Sequence, residues 1–200
     1  DEKTVDTSKI NKNLYKDYKK ILSKFVLKKQ ITRELIKFKR NKFKNKKILG
    51  VHFRGSDQKT SALHPFPPTI SQMIKQSKEL MNRFNFDFLF LVTEEEKYYQ
   101  EFKKNFGSKL ITYNHFRSKT DIFKNYPRKN HRYLIGFETI INMFLLSNTD
   151  YLLHSDSNLS AMARHYSNKR IKETIVYNGI NSKNIFLSNI LWYIKYYLPY

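Results

Sequence analysis

The side chains best suited to chemistry lie in two short stretches, each directly after an apolar run. The first stretch brings His52, Arg54 and Asp57 after residues 48–51 (ILGV), and the second is HSDSNLS at residues 154–160. A guanidinium binds phosphate through paired, charge-assisted hydrogen bonds. A helix that begins at Ser157 would offer unpaired backbone N–H groups to the same anion. Together the two stretches predict a diphosphate site that works without a metal.

Each stretch also has an ordinary structural explanation. Taken alone, Ser157 or Asp156 is more typical of a helix N-cap than of a ligand contact. Arg54 would be satisfied by solvent or by a carboxylate such as Asp57, and His52 fits a buried core histidine. The chain has no P-loop, GxGxxG or zinc-ligand spacing. Its Ser, His and Asp residues lack a nucleophile elbow, which disfavours a hydrolase.

Alternating apolar segments predict the elements that position these stretches. Short buried strands are expected at residues 48–51, 88–93, 109–113, 150–154 and 174–177. Helices are expected from 69 to 84, from the acidic residues 94–96 to Gly107, from 133 to 147, from 157 to 166 and from 185 to 198. This order predicts an α/β fold with a doubly wound, Rossmann-like parallel sheet, whose ligand site lies at the carboxyl ends of the strands.

The first 45 residues differ from the rest of the chain. Residues 1–13 are polar and are expected to form a linker or a frayed end, and residues 14–45 have helical spacing with Lys-rich outer faces. We therefore divide the chain into an N-terminal helical approach, residues 1–45, and a ligand-binding domain, residues 46–200. The long segment from 114 to 130 has no sustained period, which is typical of a functional or mobile loop.

Composition narrows the class of protein. The 200 residues are 40% hydrophobic and 16% aromatic, enough for a folded domain, and include no cysteine, which excludes disulfides and thiolate metal sites. The net charge of +21 favours phosphate-rich partners. A compositional bias toward Lys explains this charge better than a nucleic-acid site. No signal peptide and no membrane-spanning run is found, so we expect a cytoplasmic protein, with peripheral contact to an anionic membrane as one option.

Three segments in unbroken order resemble a known superfamily. They are GVHFRGSD at 50–57 with the His-Pro at 64–65, FLFLVTEEE at 88–96, and GFETIINMFLLSNTDYLLHSDSNLS at 136–160. They are similar to the motifs of the superfamily that contains the α1,6-fucosyltransferases and the protein O-fucosyltransferases. The resemblance covers residues 35–166. It implies the donor-binding half of a GT-B glycosyltransferase that is inverting, metal-independent and uses GDP-fucose.

The resemblance also implies a role for individual residues. Arg54 would hold the β-phosphate and stabilise the departing GDP, while His52 and Asn142 would lie near the nucleoside. The diphosphate would bind at Asp156, Ser157, Asn158 and Ser160. No cofactor and no metal is expected. The partners would be the nucleotide-sugar donor and a glycan, glycolipid or glycoprotein acceptor.

The sequence departs from the superfamily pattern at three places. The α1,6 branch has a second Arg where this chain has Gly55, and the carboxylate expected between Asp57 and His64 is absent. The nucleoside position, often acidic, is Asn142. The catalytic base is therefore assigned to Asp57, with His64 and Glu94 as further candidates. Two other functions stay open: a basic module that binds polyanions or nucleic acid, and an inactive remnant that binds nucleotide only.

Overall fold

The computed structural model describes residues 2–3, 20–59, 61–119, 126–155, 157–167 and 171–197. Within these residues the strands are β1 (Glu2–Lys3), β2 (Ile48–His52), β3 (Phe88–Val92), β4 (Leu110–Ile111), β5 (Tyr151–His154) and β6 (Lys172–Val176). The main helices are α1 (Lys29–Lys42), α2 (Ile70–Phe84), α3 (Glu96–Phe106), α4 (His131–Leu146), α5 (Asn158–Tyr166) and α6 (Ile185–Tyr197). A short 3-10 helix, Ser56–Lys59, follows β2.

The strands form one sheet in the order β1-β6-β5-β2-β3-β4. All neighbouring pairs from β6 to β4 are parallel, and β1 pairs antiparallel with β6. From β2 the chain builds β3 and β4 on one side, then crosses to build β5 and β6 on the other. The direction in which successive strands are added therefore reverses between β2 and β5. Open α/β sheets bind ligands at such a point. The predicted doubly wound parallel α/β sheet is confirmed.

Strand periodicity divides the core between the two faces of the sheet. Leu49, Val51 and Phe53 pack with residues of α2 and α3 in one apolar cluster. Ile48, Phe90 and residues of α1, α4 and α5 form the other cluster. Because successive strand side chains alternate in direction, His52 belongs to the face covered by α4 and α5.

Local signals explain where several helices begin and end. Thr69 forms a capping box with Gln72 at the start of α2, since Thr69 Oγ1 accepts the Gln72 N–H and Gln72 Oε1 accepts the Thr69 N–H. Ser157 caps α5 by accepting the Ser160 N–H. Helix α3 ends at Phe106, directly before Gly107. The residues that follow β2 and β5 are thus held in place by buried strands and by the capped helix α5.

The structure corrects several predicted boundaries. Glu2 and Lys3 were expected in a linker or frayed end, but their backbone pairs with Val176 and Ile175 as an edge strand. The helical spacing predicted from 14 to 45 is interrupted at residues 25–28, and only α1 is a full helix within the described part. Helix α4 begins two residues earlier than predicted, at His131. The division between residues 45 and 46 stays a prediction.

No helix in the described ranges is long and apolar enough to cross a membrane.

Candidate functional site

The exits of β2 and β5 meet through three buried side chains. His52 pairs with His154 across the two strands, and its Nδ1 lies 2.7 Å from Ser160 Oγ and 3.1 Å from Ser157 Oγ. The two serine hydroxyls are themselves 3.1 Å apart. Helix α5 places Ser157 and Ser160 on one side because its N-cap and third residue share the capping bond. The two chemical stretches of the sequence therefore form one structure.

His52 is a neutral histidine in this arrangement. Its pKa is lowered to about 3, chiefly by burial and to a smaller extent by charge interactions with His154 and Arg54. A neutral ring accepts or donates at Nδ1 according to its tautomer, which suits contact with hydroxyl groups. His52 thus positions the α5 N-terminus rather than supplying a charge to a ligand.

A cleft of about 140 Å³, partly open to solvent, lies beside this junction on the α4 and α5 side of the sheet. It is lined by His52 and Arg54 from the β2 exit, by Thr93 and Glu94 from the β3 exit, and by Asn142 from α4. The spacing of His52 and Arg54 places both on the same face of the extended chain. The cleft therefore receives a fixed cation from β2 and polar groups from two further elements.

Asn142 is buried in the wall of the cleft. Only 3% of its surface is exposed, and its Oδ1 has no hydrogen-bond partner among the described residues. Leaving a buried polar atom unpaired costs about 1–3 kcal/mol. A ligand with an N–H donor would satisfy it.

Glu94 supplies a carboxylate to the same cleft. Its Oε1 accepts a 2.8 Å hydrogen bond from the Gly55 N–H. Burial raises the pKa of Glu94, and this effect outweighs the Gly55 hydrogen bond and the charge of Arg54, which act in the opposite direction. A carboxyl group with a raised pKa is a stronger base than an ordinary carboxylate, which suits it to accept and return a proton.

The opposite face of the β2 exit is tightly packed. The Phe53 and Tyr98 rings stack with centroids 4.0 Å apart. A Cβ on Gly55 would lie 2.1 Å from Glu95 Oε1 and 2.8 Å from the Tyr98 ring. Glu95 is in turn paired with Lys59. A side chain at position 55 would force Glu95 and Tyr98 to shift, which gives a physical reason for the glycine found where the α1,6 branch has a second arginine.

A buried ionic chain lies behind the β5 exit. His154 Nε2 is 3.0 Å from Glu173 Oε2, and its Nδ1 is 2.9 Å from the Ser155 carbonyl oxygen. Arg164 donates to the other oxygen of Glu173 at 2.8 Å. Burial alone would raise the pKa of Glu173, but the hydrogen bonds from His154 and Arg164 outweigh it and lower that pKa. Both ring nitrogens of His154 therefore face oxygen acceptors.

Sequence reasoning missed the residues that close the far side of the cleft. They come from the segment after β4 and from α4: His115, Phe116 and Glu138. Glu138 binds Arg128 through two hydrogen bonds of 2.6 and 2.7 Å and accepts the Phe116 N–H at 3.3 Å. The available signal was the long segment 114–130, predicted to be functional or mobile. Its partner on α4 could not be chosen from the sequence.

The remaining predicted residues are placed as follows. Asn158 is exposed on the first turn of α5, and His64 is exposed and does not line the cleft. The backbone of Asp57 lies in the 3-10 helix after β2, but its side chain is outside what the structure describes. Asp156 also lies outside the described residues. Among the base candidates, the structure brings Glu94 to the cleft.

The arrangement combines one fixed cation, a helix N-terminus and a carboxyl group of raised pKa beside the buried contact of His52 with Ser157 and Ser160. Such a set can bind an anion such as a diphosphate and move a proton beside it. Among the described residues, no group of three or more His, Asp or Glu side chains is placed to hold a metal ion. The predicted metal independence stays a prediction.

No family model and no curated protein matches the chain. Similar solved structures do exist. A crystal structure of NodZ α-1,6-fucosyltransferase soaked with GDP-fucose has a TM-score of 0.47 and 16% identity over 70% of this chain and 42% of that chain. Fucosyltransferase NodZ from Bradyrhizobium has a TM-score of 0.45 and 15% identity over 69% of this chain and 42% of that chain. POFUT1 in complex with GDP has a TM-score of 0.49 and 11% identity over 76% of this chain and 47% of that chain.

The chain spans less than half the length of these solved structures. They come from the superfamily that its motifs resemble. At such identities the likeness describes a fold alone, so the function below is argued from the residues of the cleft.

Proposed function

We propose that this domain holds the donor of an inverting, metal-independent glycosyltransferase. The donor would be GDP-fucose, and the acceptor a glycan, glycolipid or glycoprotein. The observation that carries the proposal is the junction of two strand exits, where His52 Nδ1 lies 2.7 Å from Ser160 Oγ beside a cleft lined by Arg54. The motifs of the sequence and the chemistry of the cleft support the same class of ligand.

The diphosphate would bind between Arg54 and the start of α5. The first N–H groups of a helix have no intrahelical partner, and Ser157 Oγ caps that of Ser160. The N–H groups of Asn158 and Leu159 are then left to the ligand, where the helix dipole favours negative charge. Arg54 would neutralise the β-phosphate from the other side as the bond to the sugar breaks.

The nucleoside would lie against α4. Asn142 offers a buried Oδ1 without a partner among the described residues, and a guanine ring presents N–H donors to such an acceptor. Glu138 is a poorer candidate for this contact because Arg128 occupies both of its oxygens. An amide can also face other bases, so a comparison of GDP with UDP and ADP tests the choice of guanine.

The reaction requires a base on the side of the sugar opposite the departing phosphate. The acceptor O–H would lose its proton to this base while its oxygen forms a bond to the anomeric carbon. The bond from that carbon to the phosphate oxygen breaks at the same time, and GDP leaves with the electron pair. Glu94 is proposed as the base because it lines the cleft and its pKa is raised. Asp57 stays a second candidate.

A protein that binds nucleotide without transferring sugar is the main alternative. The absence of a second arginine at position 55 and of a carboxylate between Asp57 and His64 favours it. Hydrolysis of GDP-fucose, or transfer to any acceptor, would exclude it. Binding of GDP-fucose with neither reaction would support it.

Calorimetry with the full-length protein tests the proposal. GDP and GDP-fucose are expected to bind, UDP and ADP to bind more weakly, and Arg54→Ala to weaken GDP binding at least tenfold, a loss of about 1.4 kcal/mol or more. Turnover should also disappear. Arg54→Lys should recover part of the binding because it restores the charge but not the fork.

Arg83→Ala is the matched control. It removes the same charge, but Arg83 lies on α2 outside the cleft. It should bind GDP as the unmodified protein does. The proposal fails if the folded protein binds none of these nucleotides, or if Arg54→Ala keeps near-normal turnover.

A further inference from the structure

Helix α6 exposes an apolar surface that the sheet does not cover. It has 13 residues, of which the only charged one is Lys195. Phe186 is 77% exposed and Ile185 68% exposed. Further large apolar side chains on the helix are also exposed: Leu187, Ile190, Tyr193 and Ile194. A helix that is apolar on nearly all sides is typical of a buried environment rather than of a solvated one.

The inner side of α6 is already occupied, so the exposed residues cannot turn inward. Ser188 is fully buried, and its Oγ lies 3.0 Å from the carbonyl oxygens of Ser182 and Asn184. Lys59 Nζ lies 5.2 Å from the centroid of the Trp192 ring. Because Lys59 also pairs with Glu95 after β3, the helix is fixed at the edge of the sheet that carries the cleft.

The segment before α2 extends the same surface. The Leu63 N–H donates to the Ser182 carbonyl oxygen at 3.3 Å, and Pro65 pairs with Ile180. Leu63 is 58% exposed and Ile180 63% exposed. The exposed apolar residues of this segment therefore lie beside those at the start of α6. We call the combined area the α6 face.

Both segments that form the α6 face lack acidic residues. Residues 61–69 and 177–197 contain no Asp or Glu, while they include Lys183 and Lys195. The whole chain carries a net charge of +21. A second copy of the chain would bring the same positive charge to such a contact and be repelled. A suitable partner would have an anionic surface with an apolar layer below it.

We propose that the α6 face lies on an anionic lipid bilayer, with the helix parallel to the membrane plane. A helix of this length spans about 20 Å, less than the ~30 Å hydrocarbon layer, so it rests at the interface. Phe186 and Ile190 enter the acyl region, Tyr193 sits at the headgroup level, and Lys183 meets anionic headgroups. This contact does not depend on the nucleotide chemistry of the cleft.

Vesicle flotation tests the inference with the full chain. Vesicles of phosphatidylcholine with phosphatidylserine should bind the protein, and vesicles of phosphatidylcholine alone should bind it at least tenfold more weakly, because each lysine near the surface contributes about 1 kcal/mol. Phe186→Ser combined with Ile190→Ser should reduce binding to the anionic vesicles about tenfold or more. Ile36→Ser is the matched control, because Ile36 is an exposed apolar residue on α1 that lies outside the α6 face.

An introduced tryptophan gives a second readout. Trp192 is the single tryptophan of the chain and lies on the inner side of α6 against Lys59, so Phe186→Trp combined with Trp192→Phe moves the fluorophore into the α6 face. Its fluorescence should shift to the blue on anionic vesicles and be quenched by brominated acyl chains. Vesicle binding without this shift in the Phe186→Trp variant, or an equal loss of binding in Ile36→Ser, would overturn the proposal. So would a stable dimer or a protein complex that Phe186→Ser with Ile190→Ser dissociates, because the α6 face would then serve a protein contact.

Discussion

At the scale of single residues, His52 makes the stability of the fold depend on pH. Its folded pKa is lowered from 6.5 to about 3. Below pH 6.5 the unfolded chain therefore binds a proton that the folded chain does not, and stability is lost as the pH falls toward 3. The loss should be about 1.4 kcal/mol at pH 5.5 and about 4 kcal/mol at pH 3.

Urea unfolding between pH 7.5 and 5.5 measures this dependence. His52→Asn should lower the stability at pH 7.5 but show a shallower fall with pH, because the titrating group is gone. His64→Asn, which removes an exposed histidine outside the cleft, should keep the steep fall. Equal slopes for His52→Asn and the unmodified protein would contradict the assignment of a buried neutral His52.

Gly55 is a packing requirement at the same scale. A Cβ there would meet the Glu95 carboxyl and the Tyr98 ring at under 3.0 Å, so Gly55→Ala should destabilise the protein by about 1–3 kcal/mol through overpacking. Thermal unfolding measures the loss. Gly136→Ala is the control, since a Cβ at Gly136 meets nothing within 4 Å. Tolerance of Gly55→Ala without loss would mean that Glu95 and Tyr98 move apart easily.

At the scale of elements, the Arg128–Glu138 ion pair connects the segment after β4 to α4. Arg128 and Glu138 form two hydrogen bonds, and Glu138 also accepts the Phe116 N–H. Arg128→Gln should reduce stability by about 1–2 kcal/mol, because Glu138 loses its charged partner. The loss is no larger because the ion pair is partly exposed. Donor affinity should fall as well, since Phe116 lines the cleft.

Calorimetry and limited proteolysis check both effects. Lys129→Gln makes the same change of charge at the next residue, which is exposed, and should alter neither affinity nor cleavage. If Arg128→Gln lost stability but bound the donor normally, the segment would serve the fold and not the cleft.

At the scale of the whole molecule, the charge of +21 and the cleft predict different partners. GDP at about 100 times its dissociation constant should stabilise the protein by about 2.7 kcal/mol and raise the Tm by roughly 5–10 °C. This rise should persist in moderate salt because the contacts are few and local. A polyanion-binding module would instead bind RNA or DNA with a steep dependence on salt.

Thermal unfolding with GDP, with RNA and at two salt concentrations separates these functions. A rise in Tm with RNA and none with GDP would favour the polyanion-binding module. If both GDP and RNA raised the Tm, and the effect of RNA disappeared at higher salt, the protein would be a donor-binding domain with a basic surface.

The sequence by itself determined the local features of this molecule. Apolar runs located β2, β3 and β5, and residue types located the caps at Thr69 and Ser157. Strand alternation placed His52 and Arg54 on one face. These features depend on neighbours within a few residues, where backbone geometry gives a reliable period.

The tertiary structure alone decided which distant residues meet. It placed β5 beside β2, which brought Ser157 and Ser160 to His52 from more than a hundred positions away. It also brought Glu94, Glu138 and Phe116 to the cleft and filled the space beside Gly55. No local period encodes such contacts, because they follow from the order of strands in the sheet and from the packing of the helices on its two faces.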